Sequence, residues 1–597
     1  MPPTLILPSR YRQPPDDPGL EFEVSVRVQD VFPARAASED DLVALLGAMN
    51  RDDVLLQCVS ANSVISGFGL ADDDLRQATA IQALCAPEDI ARLQKLPRRS
   101  GRHVPNVFFR GQLLELMRYA ARYCDPAPGT GVDFNDPGAR SRFLTAALIA
   151  SDLWGRRLYA NRLSAELELG EARRRALGAF RKAIDEGNSP PHLGVCMGRG
   201  RALFGECMPR ALPEFDEWFL AETGLSYAQY AVAAAAVATY TITGRTDGCV
   251  FNARTVASAT QFAPEIDAFL RFESQSAAEL DRSLRKTFKT HGYRAIRERP
   301  ILTFPDGRAV VLDGSMFYEK MAVGPLFYAV RHADMLRRGD VNRVFGAFGE
   351  AFERYVDDTL GRMHPSGGMA ERVWFGAKGK TAGGDEFEVD ALMVEPIGDD
   401  LAAIVVETKA VFLREEAILD DVAESFVAEL RRRYGKDPGG KERDKGVAQL
   451  ARIVRAIVDR VWVGETRELA EARAILPVLL THDARMDSPG VCWLLNEDFA
   501  DLLGEVPRGW RVAPLILLTI EDLENLESSV GQFTLAELLR DYHRDSPDRM
   551  VSFRRFLIGS KYQALIKPSG HIMSQSNEQM EAVARTLFPK PAAAGAS

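Results

Sequence analysis

The segment Leu401–Ala410, LAAIVVETKA, closes an unbroken apolar run with Glu407, Thr408 and Lys409. An apolar run of this length reads as a central strand buried on both faces. Glu407 and Lys409 are two residues apart, so on a strand they project to the same face. Charges at the end of a buried strand are costly unless they pair or bind an ion. Their mutual pairing is the plain structural explanation. The preceding run, EFEVDALMV, carries Asp390 among apolar residues. If the turn IGDD joins two antiparallel strands, Asp390 lies beside Glu407. Two carboxylates held together repel unless a proton or a cation sits between them. Magnesium takes one or two carboxylates with water and phosphate oxygens. Such a cation polarises a phosphate and acidifies a bound water, and Lys409 is placed to orient that water or to offset developing charge.

These residues need a frame, and the surrounding pattern predicts one. ERVWFGAK, EFEVDALMVEP and LAAIVVETKAV read as strands separated by the turns KTAGG and IGDD. Upstream, a helix begins near Val341 and runs through FGAFGEAFERYVDDTLGRM. Downstream come two amphipathic helices, at about 414–435 and 445–461, and the apolar strands ILPVLLT and VAPLILLTI. The order helix, three strands, helices, strand predicts an α/β core: a mixed sheet flanked by helices.

An acidic residue in one strand followed by E-x-K at the end of the next resembles the PD-(D/E)XK, or restriction-endonuclease-like, nucleases. The match is Asp390 with Glu407-Thr408-Lys409. The resemblance implies a helix carboxylate upstream, where Glu353 fits and Glu350 is the alternative. It also implies a glutamine on the helix after E-x-K, where Gln449 stands. Ile453 occupies the place of the RecB-like tyrosine, and Val389 that of the motif's proline. By resemblance, Asp390, Glu407 and Glu353 hold Mg2+, with Mn2+ able to substitute, and Lys409 and Gln449 complete the catalytic set. The implied activity is phosphodiester hydrolysis on DNA. The arrangement of the chain is similar to bacterial restriction and anti-phage effectors. Two alternatives stand beside it: a non-catalytic nucleic-acid-binding or scaffold protein on the same fold, and a nucleotide cyclase.

The cyclase alternative comes from Gly383-Gly384-Asp385-Glu386-Phe387, which spells the GGDEF signature but continues into an acidic strand. A Gly-Gly turn accounts for it more simply. Gly379-Lys380-Thr381 ends like a P-loop, but Trp374 stands where the first glycine belongs. Lys378 and Lys380 read as solvated turn lysines near the proposed site. Arg431 to Lys445 holds seven basic and three acidic residues; it is either a loop that tracks a DNA backbone or a solvated linker.

The chain of 597 residues is too long for one core. The pattern predicts an extended segment with a strand at 20–32 over residues 1–37, and a mostly helical region over 38–297. A hairpin and lead-in helix at 298–340 follow, with the hairpin at PILTFPDGRAVVLD turning at Pro305-Asp306-Gly307. The nuclease-like region is 341–525, C-terminal helices occupy 526–588, and residues 589–597 form a tail with nothing to bury. The helical region is expected to sense, to bind a protein partner or to form a homo-oligomer. The net charge of -10 argues against a generally basic coat. Seven scattered cysteines without knuckle spacing point to reduced thiols in the cytoplasm. The Ala-rich run around 230–243 is too short to span a bilayer, so no membrane association is expected.

Overall fold

The computed structural model describes residues 5–6, 23–35, 37–66, 73–96, 104–127, 136–158, 177, 192–239, 250–252, 262–288, 292–364, 373–381, 383–384, 386–419, 423–435, 446–462, 467–529 and 531–587. The N-terminal part is helical. Helices α1 (Arg51–Ser66) and α2 (Arg110–Tyr123) are buried around most of their circumference. Several of their polar groups find partners inside the protein. Arg118 pairs with Glu115 at 2.6 Å, and Gln112 donates to the Ala147 carbonyl at 2.7 Å. Of the expected strand over 20–32, only Glu23–Val24 is strand among the described residues. Glu23–Val24 pairs with Leu5–Ile6, and Val28–Val31 is a single helical turn. Val28 and Val31, three apart, are both buried there, so tertiary packing overrides the local alternation. Residues 20–22 lie outside the described residues.

A small sheet orders its strands β1 (Val250–Asn252), β4 (Arg308–Val311), β3 (Ile301–Thr303) and β2 (Ser274–Ser276). The β3–β4 hairpin turns at Gly307, whose φ of 87° suits glycine. Helix α3 (Leu193–Gly200) precedes this sheet in the chain, and α4 (Gly314–Leu336) and α5 (Arg338–Met363) follow it. Asp313 caps α4 by accepting from the Met316 amide at 2.8 Å. It also takes both arms of Arg110, at 2.8 and 2.9 Å, and the Asn62 amide at 2.8 Å. One buried carboxylate thus ties α1 and α2 to the helix that leads into the C-terminal half.

That half is built on a mixed sheet flanked by helices. Strand β6 (Glu386–Ile397) runs antiparallel to both of its neighbours, β5 (Val373–Lys380) and β7 (Asp400–Lys409). β7 then pairs in parallel with β8 (Ala474–Thr481) along its length. β8 pairs on its other side with β9 (Arg511–Val512) and then β10 (Ile516–Thr519), two pieces of one edge interrupted around Pro514. Of the expected helix over 414–435, the described residues form Glu415–Leu419 and α6 (Ala423–Arg433), and residues 420–422 lie outside them. Helices α7 (Val447–Val458) and α8 (Val491–Leu503) complete this side. Met393, Ile404 and Val406 face α5, packing with Phe348, Phe352 and Tyr355. Leu392, Ala403 and Val405 face α7 and α8, packing with Leu450, Val454 and Leu494. Among the described residues no helix is long and apolar enough to cross a membrane.

The rotation of α5 is set from the far end of the chain. Arg199 reaches Glu524 on α9 (Ile520–Glu527) through two bonds of 2.7 and 2.5 Å. The same carboxylate accepts the Tyr355 hydroxyl of α5 at 2.6 Å. Arg199 lies between two points of close approach. A Cβ at Gly198 would stand 2.2 Å from the Ile572 carbonyl of α10 (Gly570–Leu587), and one at Gly200 equally close to the Met321 carbonyl of α4. Backbone cannot yield as a flexible side chain does. Gly198→Ala is therefore expected to destabilise the protein by about 1–3 kcal/mol, the usual range for overpacking. A thermal melt that matches the wild type would show that α3 and α10 can separate without cost.

Candidate active site

Strand β7 is buried, and it is paired on both sides as far as Val406. Its antiparallel ladder with β6 closes at Ala391↔Val406, while its parallel ladder with β8 continues to Lys409↔Thr481. The next residues on the antiparallel side are Asp390 and Glu407. There the Asp390 side chain takes the place of a strand. Its Oδ2 accepts the Thr408 amide at 2.6 Å and the Thr408 hydroxyl at 2.8 Å.

The β5–β6 ladder also lapses at this point. It pairs Phe375 with Ala391, skips one step and resumes at Ala377↔Val389. Trp374 and Leu392 pack on the α7 side of the sheet, and so do Ala377 and Val389, three residues along each strand. A regular strand would put residues three apart on opposite faces, so both strands turn over together, with Gly376 and Asp390 at the turnover. Gly376 has φ 59°, and a Cβ there would stand 2.9 Å from Glu388 Oε1. This distortion brings Asp390 out of the apolar layer that its neighbours occupy.

Glu407 is fully buried. Its Oε1 pairs with Lys409 Nζ, and its Oε2 has no hydrogen-bond partner among the described residues. Burial pushes the Glu407 carboxyl up to about 8; Lys409 opposes the shift, and Asp390 and Glu353 add to it. For Lys409, burial disfavours the ammonium, but Glu407, Asp390 and Glu353 outweigh it and raise the group above its ordinary value. Glu353 projects from α5 toward this strand end. The residue is exposed on α5, but partial desolvation of its carboxyl and repulsion by Asp390 push it up to about 7, with Lys409 opposing and Glu350 contributing less.

The structure thus brings Asp390, Glu407, Lys409 and Glu353 within electrostatic reach of one another. Glu350 is exposed one turn away. Gln449 sits half-buried at the start of α7 and makes no hydrogen bond to Asp390, Glu407 or Lys409. Two contributors were not singled out from the sequence. Asp357 stands four residues after Glu353, on the same helix face; burial, Asp390 and Glu353 push it up to about 7. That spacing was a legible signal. Thr408 carried none, since its role depends on which strand lies beside it.

The donors are carboxylate oxygens, as a hard cation requires, and the buried, unpartnered Glu407 Oε2 is an oxygen such a cation would satisfy. The carboxylates are not drawn into a closed cage. Among the described residues no three His, Cys, Asp or Glu side chains form a group that could hold an ion.

The other motifs resolve into local structure. Gly383 and Gly384 lie in the β5–β6 turn, Gly384 with φ 87°, and Asp385 is outside the described residues. Lys380 pairs with Glu386 across that hairpin at 3.1 Å, and Lys378 is exposed. The described arginines of the basic stretch are committed internally. Arg431 pairs with Asp498 at 2.9 Å, while Arg432 and Arg433 join Arg414 on the buried carboxylate of Glu429. Lys436 to Lys445 lie outside the described residues. Cysteines 58, 85, 124, 196, 207 and 492 are free and buried. Comparison with protein-family models, with curated proteins and with solved structures returned no match.

The raised carboxylates set a direction for stability against pH. A group whose folded pKa exceeds its unfolded value favours folding while protonated, and that contribution is lost as pH rises through the folded value. For Glu407 the window runs from its ordinary 4.5 to about 8, and for Asp357 from 3.8 to about 7. The metal-free protein is expected to lose melting temperature between pH 5 and pH 8, and Glu407→Gln to lose less. Parallel melting curves for the two proteins would refute the assignment.

Proposed function

We propose that the chain is a metal-dependent nuclease that hydrolyses phosphodiester bonds of DNA, with Asp390, Glu407, Lys409 and Glu353 at its centre. One observation carries this reading. A fully buried carboxylate, Glu407, has one oxygen on Lys409 and the other without a partner, beside an Asp390 held at the open end of its ladder. Mg2+ or Mn2+, held by Asp390 and Glu407 with Glu353 drawn in from α5, would supply Lewis-acid activation of a phosphate and acidify a water. The chain's own residues do the rest. Lys409 presents its ammonium at the strand end, where it can orient a water or meet phosphate charge. In the metal-free chain Glu353, pushed up to about 7, can carry a proton at neutral pH, and it would release that proton on taking the cation. Asp357 adds negative charge on the same helix face and strengthens the demand for a cation. Gln449 belongs to the set by resemblance alone. The helical region 38–297 would sense, bind a partner or oligomerise, as in a restriction or anti-phage effector.

The purified chain, incubated with plasmid, single-stranded DNA and RNA with and without Mg2+, is expected to cleave DNA only with the cation. Asp390→Ala and Glu407→Ala should abolish cleavage while the protein still melts cooperatively. Lys409→Ala should retain two cation-binding carboxylates but lose on the order of 10²-fold in rate or more, as for removal of a group that stabilises transition-state charge. Full cleavage by folded Glu407→Ala would place the active site elsewhere. Binding of DNA without cleavage under any of these conditions would favour the non-catalytic alternative.

A further inference from the structure

We propose that Thr408, the middle residue of the E-x-K segment, is a positioning residue that sets which divalent cation the site prefers, by confining Asp390 to a single ligand oxygen. This rests on the reading of Asp390 and Glu407 as cation ligands. A carboxylate oxygen offers two lone-pair sites. Both sites of Asp390 Oδ2 are occupied by Thr408, one by the amide at 2.6 Å and one by the hydroxyl at 2.8 Å. Thr408 is itself buried, so water does not compete for these bonds. No hydrogen bond or ion pair reaches Asp390 Oδ1 among the described residues, and Asp390 is half-exposed. Asp390 therefore offers a cation one oxygen.

The amide contact would survive any substitution at position 408, because it belongs to the backbone. The hydroxyl contact would not. Replacing threonine by valine keeps the branched shape and frees one lone pair of Oδ2, which opens bidentate ligation. Single-oxygen carboxylates with retained waters suit the small octahedral shell of Mg2+. Ca2+ takes six to eight oxygens in flexible geometry and accepts bidentate carboxylates readily. Threonine at this position thus favours Mg2+, and its hydroxyl is the group responsible.

The test is calorimetric titration of the full, metal-free chain with Mg2+ and separately with Ca2+, for wild type, Thr408→Ser and Thr408→Val. The melting temperature is read with and without each cation. Thr408→Val is expected to shift the ratio of Ca2+ to Mg2+ affinity toward Ca2+ by about tenfold, the scale of one hydrogen bond to a charged group. Thr408→Ser should keep the wild-type ratio, because it keeps the hydroxyl. If valine at 408 prevents folding, Thr408→Cys makes the same comparison with a weak donor of similar size. An unchanged ratio in the folded valine or cysteine variant, with cation binding still lost in Glu407→Ala, overturns the role of Thr408 alone. If the wild type binds neither cation, the ligand reading falls and this inference with it.

Discussion

Burying the Glu407 carboxylate is the constraint on which the candidate site depends. β7 is covered on both faces, and beyond Val406 it is still paired with β8, so Glu407 and Thr408 lie in a region with little water to stabilise charge. Lys409 compensates one oxygen of Glu407 and leaves the other unmet. The surrounding carboxylates, Asp390, Glu353 and Asp357, add repulsion rather than relief. This concentration of negative charge around a single ammonium is unfavourable in the metal-free protein, and it is the property that a cation would turn to use.

Several other buried carboxylates are handled differently. Asp313 is clamped by Arg110, Asn62 and the amide it caps, and these hold its carboxyl below the ordinary range against the effect of burial. Glu429 is held low in the same way by three arginines. Glu273 accepts from Tyr230, Tyr328 and Lys320 at once. In each case donors fill the acceptor sites, and the group serves packing. At Glu407, Glu353 and Asp357 the balance is reversed, and the carboxyls are pushed up to about 8, 7 and 7. The contrast within one molecule separates structural charges from the candidate functional set. Asp53, Asp152, Asp216, Asp487 and Asp522 are also raised, mainly by burial, and lie outside this set.

The site also depends on segments remote in sequence. Helix α5 presents Glu353 and Asp357 only if its rotation is held, and Tyr355 holds it through Glu524 and Arg199. Arg199 is in turn placed by the close passage of α3 between α4 and α10 at Gly198 and Gly200. The C-terminal helices are thus joined to the packing layer behind the sheet, and the hydrophobic cluster on that face extends from Val195 to Val583.

The sequence by itself determined the local elements where one periodicity dominated. Alternation and turn residues mark β5, β6 and β7; Pro305-Asp306-Gly307 marks the β3–β4 hairpin; and the apolar run ending in Glu407-Thr408-Lys409 marks a buried strand with charges at its end. Asp390 was legible as an acidic residue out of place in an apolar run. Only the tertiary structure decided how these parts meet. The turnover at Gly376 and Asp390 depends on two strands distorting together, which neither strand's pattern contains. Thr408 acquires its role from the strand next to it. Arg431, Arg432 and Arg433 look free in a basic run, yet they are bound to Asp498 and Glu429, which lie elsewhere in the fold or face inward. The alternation of residues 20–32 yields to burial of Val28 and Val31. Periodicity is a property of neighbours along the chain, whereas charge compensation and strand distortion are properties of neighbours in space.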